Sequence, residues 1–509
     1  MLRRVLVANR SEIAVRVIRA CREMGIGAVA VYSDADKDAM HVRMADAAVH
    51  VGTAPSRDSY LVGERLIAAA KDKGCDAVHP GYGFLSENAA FARAVIKAGL
   101  VWIGPPPSAM DAMGSKVTAR AHAQAAGVPV AAGSVALRDA AVAKQEAKRI
   151  GYPVILKAAH GGGGIGMRVV RTSDHLESQF AAATAQAEAA FGSSEVFLEK
   201  YLERPRHIEV QILADAHGNV IHLGERECSI QRRHQKLVEE APSPALSAPQ
   251  RAELGEMAVA LAKRVGYQGA GTMEFLYEPP VPNGRHTKTP GKVRGTFAFN
   301  EMNTRLQVEH PVTELVTGID IVQWQLRIAA GEVLSIRQED VVLRGHAFEA
   351  RINAEEPARG FAPSPGPVAR LTVPSGPGVR VDTALYEGWT VPSDYDSLVM
   401  KLVTHAPDRE TNCGRMLRAL SELQVGGFST NRDFHRLLFS HPQFRAGNLT
   451  TRFLEEHGVA EVLVRAARVR AAAVAAALES FPGGLAAMKT RNSGPAIVTA
   501  GGRRDWGTE

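Results

Sequence analysis

The chain has 509 residues, 45% hydrophobic and 22% charged, with a formal net charge of +6. That length exceeds what one core holds and predicts three or more domains, and no apolar run is long enough to span a bilayer. The modest positive excess suits an anionic small molecule, and no nucleic-acid-binding motif accompanies it, so neither DNA, RNA nor a membrane is an expected partner.

Arg3 and Arg4 precede only a short apolar stretch, Val5–Ala8, too brief for an export signal. The four cysteines (Cys21, Cys75, Cys228, Cys413) are far apart and lack metal spacing. They read as reduced thiols of a cytoplasmic protein. Val5–Ala8, Ala28–Tyr32, Ala77–His79 and Val101–Gly104 have strand character, and Glu12–Met24, Tyr60–Lys73 and Asn88–Ala98 have helical spacing. This alternation predicts an open parallel sheet with ligands at the carboxyl ends of its strands. One such end is His79-Pro80-Gly81-Tyr82-Gly83-Phe84-Leu85-Ser86-Glu87-Asn88, a shaped loop armed with Tyr82, Phe84 and Glu87.

Pro105–Pro107 marks a boundary. Beyond it, the β run Tyr152–Ala159, with Lys157, leads into Gly161, Gly162, Gly163, Gly164, Ile165 and Gly166, and Met167–Val170 returns as a β run. Glycine lets backbone N–H groups close onto phosphates because no Cβ holds them off. A dinucleotide fingerprint should open a helix, and a Walker loop should end in Gly-Lys-Ser/Thr; neither occurs. The pattern predicts a flexible hairpin folding over a nucleotide.

Alternation next places His207, Glu209 and Gln211 on one face. Glu225–Lys236 is dense in charge and by itself reads as a solvated basic loop. Glu274 lies on a strand before Pro279–Gly295, which reads as a surface insertion between strands ending near Glu278 and starting near Phe297. Glu301, Asn303, Arg305, Gln307 and Glu309 alternate with Met302, Thr304, Leu306 and Val308, so an extended segment would aim all five polar groups one way. Glu274 and Glu301, with Asn303, are hard oxygen ligands suited to Mg²⁺ or Mn²⁺ carried by ATP phosphates. Val341–Glu456 mixes short strands and helices. A helix over Ala460–Leu478 and a glycine-rich, disordered end complete the expectation.

The glycine hairpin with the Glu…Glu-x-Asn-x-Arg pair resembles the ATP-grasp fold. His79–Asn88, Gln231–Pro242 and Glu301–Pro311 resemble the biotin carboxylase family, over about residues 1–457. The implied fold is α/β and multidomain. It comprises an N-terminal open parallel sheet (1–113), a central ATP-grasp unit (114–334) and a C-terminal mixed α+β domain (335–457), before a tail (458–509). The glycine-rich lid would span about 131–203 and the insertion about 279–297.

The resemblance also implies residue roles. Lys116, Lys157, Gly163 and Gly164 would hold ATP phosphates. Glu199, Lys200 and Leu202 would line the adenine pocket, with His207, Gln231 and His234 beside the nucleotide. Glu274, Glu301 and Asn303 would hold a pair of metal ions. Lys236, Arg305, Gln307 and Val308 would bind bicarbonate, Glu309 would be the general base, and Tyr82 and Arg351 would meet biotin. The implied reaction is ATP-dependent carboxylation of biotin through carboxyphosphate. Ala487-Met488-Lys489-Thr490 resembles a biotinylated-lysine motif, but too few residues follow it to complete a carrier domain. Biotin is therefore expected on a separate biotin carboxyl carrier protein, with a carboxyltransferase subunit as second partner and a homodimer as assembly. Ser11 stands where the family commonly has glycine, a departure of little consequence. Ile165 stands where arginine or lysine is usual in the glycine loop, which predicts altered ATP affinity but not lost activity. Two other readings are open: an ATP-grasp ligase for a different carboxylate, and a nucleotide-binding subunit without turnover.

Overall fold

The computed structural model describes residues 2–159, 167–280 and 295–480. The glycine run with Gly163, Gly164 and Ile165, most of the insertion, and the end of the chain with Lys489 lie outside the described residues.

The N-terminal sheet is parallel, in the order Ala47–Gly52, Gly27–Ser33, Arg4–Val7, Ala77–His79, Val101–Trp102. Val5, Leu6 and Val7 are fully buried, as expected of a strand covered on both faces. The predicted Tyr60–Lys73 helix starts only at Gly63. Tyr60 is spent in the core, where its hydroxyl donates to Asp36 Oδ2 at 2.6 Å. The Ala89–Lys97 helix starts where the Asn88 side chain accepts from the Phe91 N–H. At the carboxyl edge, Asn9 Nδ2 donates to the carbonyls of Pro80 (2.7 Å) and Tyr82 (2.8 Å), fixing the glycine-rich loop beside the first strand.

Ser11 begins the first helix with φ +57°, in the left-handed region. A serine there carries a Cβ penalty that glycine lacks. Ser11→Gly is expected to stabilise the protein by up to about 1 kcal/mol, the relief being partly offset by the freer unfolded chain. Denaturant unfolding of the two proteins side by side checks this.

The central and C-terminal regions share one antiparallel sheet of eight strands. Its order is Thr296–Asn303, Gly269–Glu278, Arg206–Ala214, Val220–Arg232, Gln235–Ala241, His346–Asn353, Leu398–Ala406, Val379–Thr383. The seam is the pairing of Gln235–Ala241 with His346–Asn353, which sets Glu239 opposite Glu349. This corrects the solvated-loop reading of Glu225–Lys236. That stretch is a hairpin whose Glu225–Ile230 arm is buried and whose turn, at Arg233 (φ +51°) and His234 (φ +66°), is exposed. The charges of the buried arm sit inside because each is matched: Glu225 with Arg251, Arg226 with Glu209, Glu227 with Arg206.

A second correction concerns Glu301–Glu309. The strand ends at Asn303, and Glu309 is the residue immediately before the helix His310–Thr317. Alternation therefore governs only Glu301 and Asn303, and a turn delivers the other three.

A small sheet, Arg168–Val170, Val154–Ala158 and Val196–Lys200, carries the helices Ala140–Ile150 and Leu176–Phe191 over a core of Leu156, Val170, Ala183 and Leu198. Both strands flanking the glycine run thus belong to one separate layer above the central sheet. The C-terminal core packs Phe348, Phe439 and Phe444 edge to face, and the helix Val459–Ser480 docks on it through Val459 and Leu463. The four cysteines are buried and unpaired. Among the described residues no helix is long and apolar enough to cross a membrane.

Candidate active site

Between the small sheet and the central sheet lies a cavity of about 540 Å³. Lys116, Lys157, Glu199, Lys200, Leu202, His207, Gln231, His234, Glu274 and Glu301 all line it. Lys157 projects from the strand before the glycine run, 2.5 Å from Glu199 Oε2, and also donates to Asn300 Oδ1 at 3.2 Å. Arg120 holds the other Glu199 oxygen at 2.8 Å. The Lys200 ammonium donates to the carbonyls of Gly151 and Tyr152, so this residue offers the cavity its backbone edge. Gln231 Nε2 contacts His207 Nδ1 at 2.7 Å and donates to the Cys228 carbonyl at 2.8 Å.

Glu274 and Glu301 face each other on antiparallel strands. Asn303 Nδ2 donates to Glu274 Oε1 at 3.0 Å. Burial would raise the Glu274 carboxyl, but the Lys236 ammonium, then His207, outweigh it and hold it well below its usual range. His207 Nε2 lies 3.1 Å from Glu274 Oε2. Burial, the largest influence, opposes protonation of His207, but the charge and hydrogen bond of Glu274 together with the Glu209 charge outweigh it, so its pKa is raised. Lys116 Nζ sits 2.8 Å from Glu301 Oε2. Cation-paired carboxylates on adjacent strands are a donor set that fits a hard divalent ion.

Behind this pair lies a chain of charges. The Lys236 ammonium donates to Glu209 Oε2 (2.5 Å), Glu274 Oε1 (3.0 Å) and Glu309 Oε1 (2.6 Å), using all three protons. Burial would lower its pKa, yet the three carboxylates raise it well above the ordinary lysine value. Glu309 takes a second cation on its other oxygen, Arg351 Nη2 at 2.9 Å. Burial pushes the Glu309 carboxyl up, and Lys236, Arg351 and Arg226 together bring it well below the usual range. Arg351 also donates to Glu239 Oε1 at 2.6 Å. Glu239 is pushed up to about 7 by burial, with Arg351 opposing and Glu309 adding to the rise. Gln307 Nε2 donates to Glu274 Oε1 at 3.0 Å. Arg305 spans from Glu87 Oε2 (3.0 Å) to Asn303 Oδ1 (2.8 Å). Gln307 therefore does meet Glu274, Glu309 meets Lys236, and Arg305 joins Asn303, by the turn rather than by a continuous strand.

The Tyr82 hydroxyl turns inward to donate to Glu12, so its polar end is committed within the protein. The Val308 carbonyl accepts from Lys401 at 3.1 Å. Several residues outside the predicted set proved central. Glu209 anchors both Lys236 and Arg226. Its signal was present in the His207-x-Glu209-x-Gln211 alternation. Glu87 orients Arg305 from the N-terminal loop. Arg226 left no mark in the sequence beyond the charge density that disguised it.

Family models agree with this geometry along the chain. The biotin carboxylase N-terminal domain matches residues 1–110, the ATP-binding domain of the carbamoyl-phosphate synthase L chain matches 115–337, and the biotin carboxylase C-terminal domain matches 349–456. The biotin carboxylase of Haemophilus influenzae is 50% identical over 458 residues, spanning 90% of this chain and 99% of the relative. The biotin carboxylase domain dimer of Hydrogenobacter thermophilus 2-oxoglutarate carboxylase was solved with MgADP, ADP and bicarbonate. It is 48% identical, with TM-score 0.85 over 90% of this chain and 98% of that one. A Campylobacter jejuni biotin carboxylase solved as a β,γ-ATP complex is 46% identical, with TM-score 0.85 over 90% of this chain and 99% of that one. Half-identity sustained over nearly the whole of each relative, across three consecutive domains, means that this chain belongs to the biotin carboxylase family.

Proposed function

We propose that the chain catalyses the ATP-dependent carboxylation of biotin by bicarbonate, the first half-reaction of a biotin-dependent carboxylase. The observation that carries this reading is the Lys236–Glu309–Arg351 chain beside the Glu274/Glu301 pair. The bound ligands of the Hydrogenobacter relative, MgADP and bicarbonate, support it. Lys116, Lys157, Glu199, Lys200, Leu202, His207, Gln231 and His234 would surround the nucleotide, with the glycine run closing above it. Glu274, Glu301 and Asn303 would hold Mg²⁺ or Mn²⁺, which supplies charge neutralisation at the phosphates.

Lys236, Arg305 and Gln307 would receive bicarbonate, a planar anion matched to fixed donors. Glu309 starts ionised, in the right state for a base, yet two cations keep it weak. An anion that draws Lys236 and Arg351 toward itself returns basicity to Glu309 as the proton must move. Glu309 then takes the bicarbonate proton, and the freed oxygen attacks the γ-phosphorus as the bond to ADP breaks. The resulting carboxyphosphate splits to CO₂ and phosphate. Phosphate removes the ureido proton of biotin, and the ureido nitrogen bonds to CO₂. Arg351 and Arg305 would steady the ureido anion.

Biotin would arrive on a separate carrier protein, and a carboxyltransferase subunit would use the product. A cytoplasmic homodimer is the proposed assembly, in line with the dimeric Hydrogenobacter domain. The test is ATP-dependent transfer of labelled bicarbonate to free biotin by the purified chain. Label on biotin that disappears in Arg351→Ala is the expected result. Bicarbonate-dependent ADP without label on either free or carrier-bound biotin would indicate a ligase for another acceptor. ATP binding with no bicarbonate-dependent ADP release would indicate a nucleotide-binding subunit.

A further inference from the structure

Arg226 is fully buried on the Val220–Arg232 strand. A guanidinium has five N–H donors in one plane, and all five are used. Nε donates to Glu209 Oε1 at 2.5 Å. Nη1 donates to Gln211 Oε1 at 2.8 Å and Thr313 Oγ1 at 3.0 Å. Nη2 donates to Thr272 Oγ1 at 3.1 Å and Gln307 Oε1 at 2.7 Å. The acceptors come from two neighbouring strands, the turn before the His310–Thr317 helix, and that helix itself.

Two of these bonds decide the state of groups at the site. Because Arg226 takes the Gln307 amide oxygen, the Gln307 NH₂ must face the other way, where it donates to Glu274 Oε1 at 3.0 Å. A flipped amide would set NH₂ against the guanidinium and oxygen against the Glu274 carboxylate, both repulsive. Likewise, Arg226 holds one oxygen of Glu209 while the other receives the Lys236 ammonium at 2.5 Å. The place of Lys236 is thus set by a carboxylate that Arg226 has already fixed. Lysine at 226 would keep the charge but bring three donors from one point, too few and too compact to span Glu209 and Gln307 together.

We propose that Arg226 is a positioning residue for bicarbonate capture. It sets the polarity of the Gln307 amide and the location of Lys236 without touching substrate itself. The inference rests on the functional reading above. A purely structural buried arginine would, when perturbed, harm all substrates alike; a positioning role predicts a selective effect.

The experiment measures ADP release by the full chain with bicarbonate and ATP varied separately, for wild type, Arg226→Lys and the double variant Thr272→Val/Thr313→Val. The threonine pair removes two Arg226 acceptors and no charge, so it keeps the test alive if Arg226→Lys does not fold. Expected are a bicarbonate KM raised about tenfold or more in Arg226→Lys and about two- to fivefold in the threonine pair, with the ATP KM within about twofold of wild type. An unchanged bicarbonate KM in the folded variants, or parallel rises in both KM values, would overturn the inference while leaving the functional reading intact. A wild-type chain whose ADP release ignores bicarbonate would overturn the functional reading, and the inference with it.

Discussion

Glu309→Gln is expected to lower bicarbonate-dependent ADP release by at least about a hundredfold, the usual scale for loss of a positioned base. The ATP KM should stay near wild type, because Glu309 does not line the nucleotide cavity. The substitution is close in shape, so the effect reports chemistry rather than packing. In the wild-type protein, Glu309 binds Lys236 through one oxygen and Arg351 through the other. Glutamine can accept from one of them only and would turn its NH₂ against the second, loosening an arginine assigned to biotin and a lysine assigned to bicarbonate. Both reactant sites should therefore suffer together. Steady-state ADP release with bicarbonate varied, beside nucleotide affinity from a direct binding assay, separates the two effects. Activity within tenfold of wild type would remove Glu309 from the base role.

How much of this was legible in the sequence depends on which physical rule governed each stretch. Side-chain alternation holds wherever the chain is truly extended, so His207, Glu209 and Gln211 do share a face, and Glu274 and Glu301 do meet across two strands. The same rule carried too far at Asn303, where the strand stops. Arg305, Gln307 and Glu309 converge because a turn and a helix start bend back over the sheet, a tertiary effect with no local period. Glu225–Glu227 misled for another reason, although the turn beyond them is exposed as expected. Charge density predicts solvation only when partners are lacking, and here the partners are remote in sequence: Glu209, Arg206 and Arg251. A buried ion network is close to invisible from one strand alone. The continuity of the sheet from Gln235–Ala241 into His346–Asn353 was hidden likewise, since more than a hundred residues separate the paired strands.

Lys236→Met should have the largest effect on both stability and activity. In the folded protein one ammonium serves Glu209, Glu274 and Glu309, all buried. Removing it leaves three carboxylates close together, with Arg226, Arg351 and His207 in contact as partial compensation. Breaking a buried ionic cluster in this way costs about 3–5 kcal/mol. The pH dependence follows from the direction of the shifts. Lys236 is raised above its ordinary pKa, so its contribution is complete below about pH 10.5 and fades only at still higher pH. Glu274 and Glu309 are depressed, so their contribution is present above about pH 4.5 and is lost as pH falls through their lowered values. Without Lys236, whose charge is the main depressing influence on both, the two carboxyls should rise. The variant would then be most unstable relative to wild type at pH 8 and recover part of the difference toward pH 5, where protonation relieves the repulsion. Thermal unfolding of both proteins at the two pH values tests this. A deficit that is equal at pH 5 and pH 8 would mean that packing of the lysine stem, not its charge, holds the cluster together. Bicarbonate-dependent ADP release should be abolished at either pH, because a protonated Glu309 is no base and an ionised one without Lys236 repels the anion it must meet.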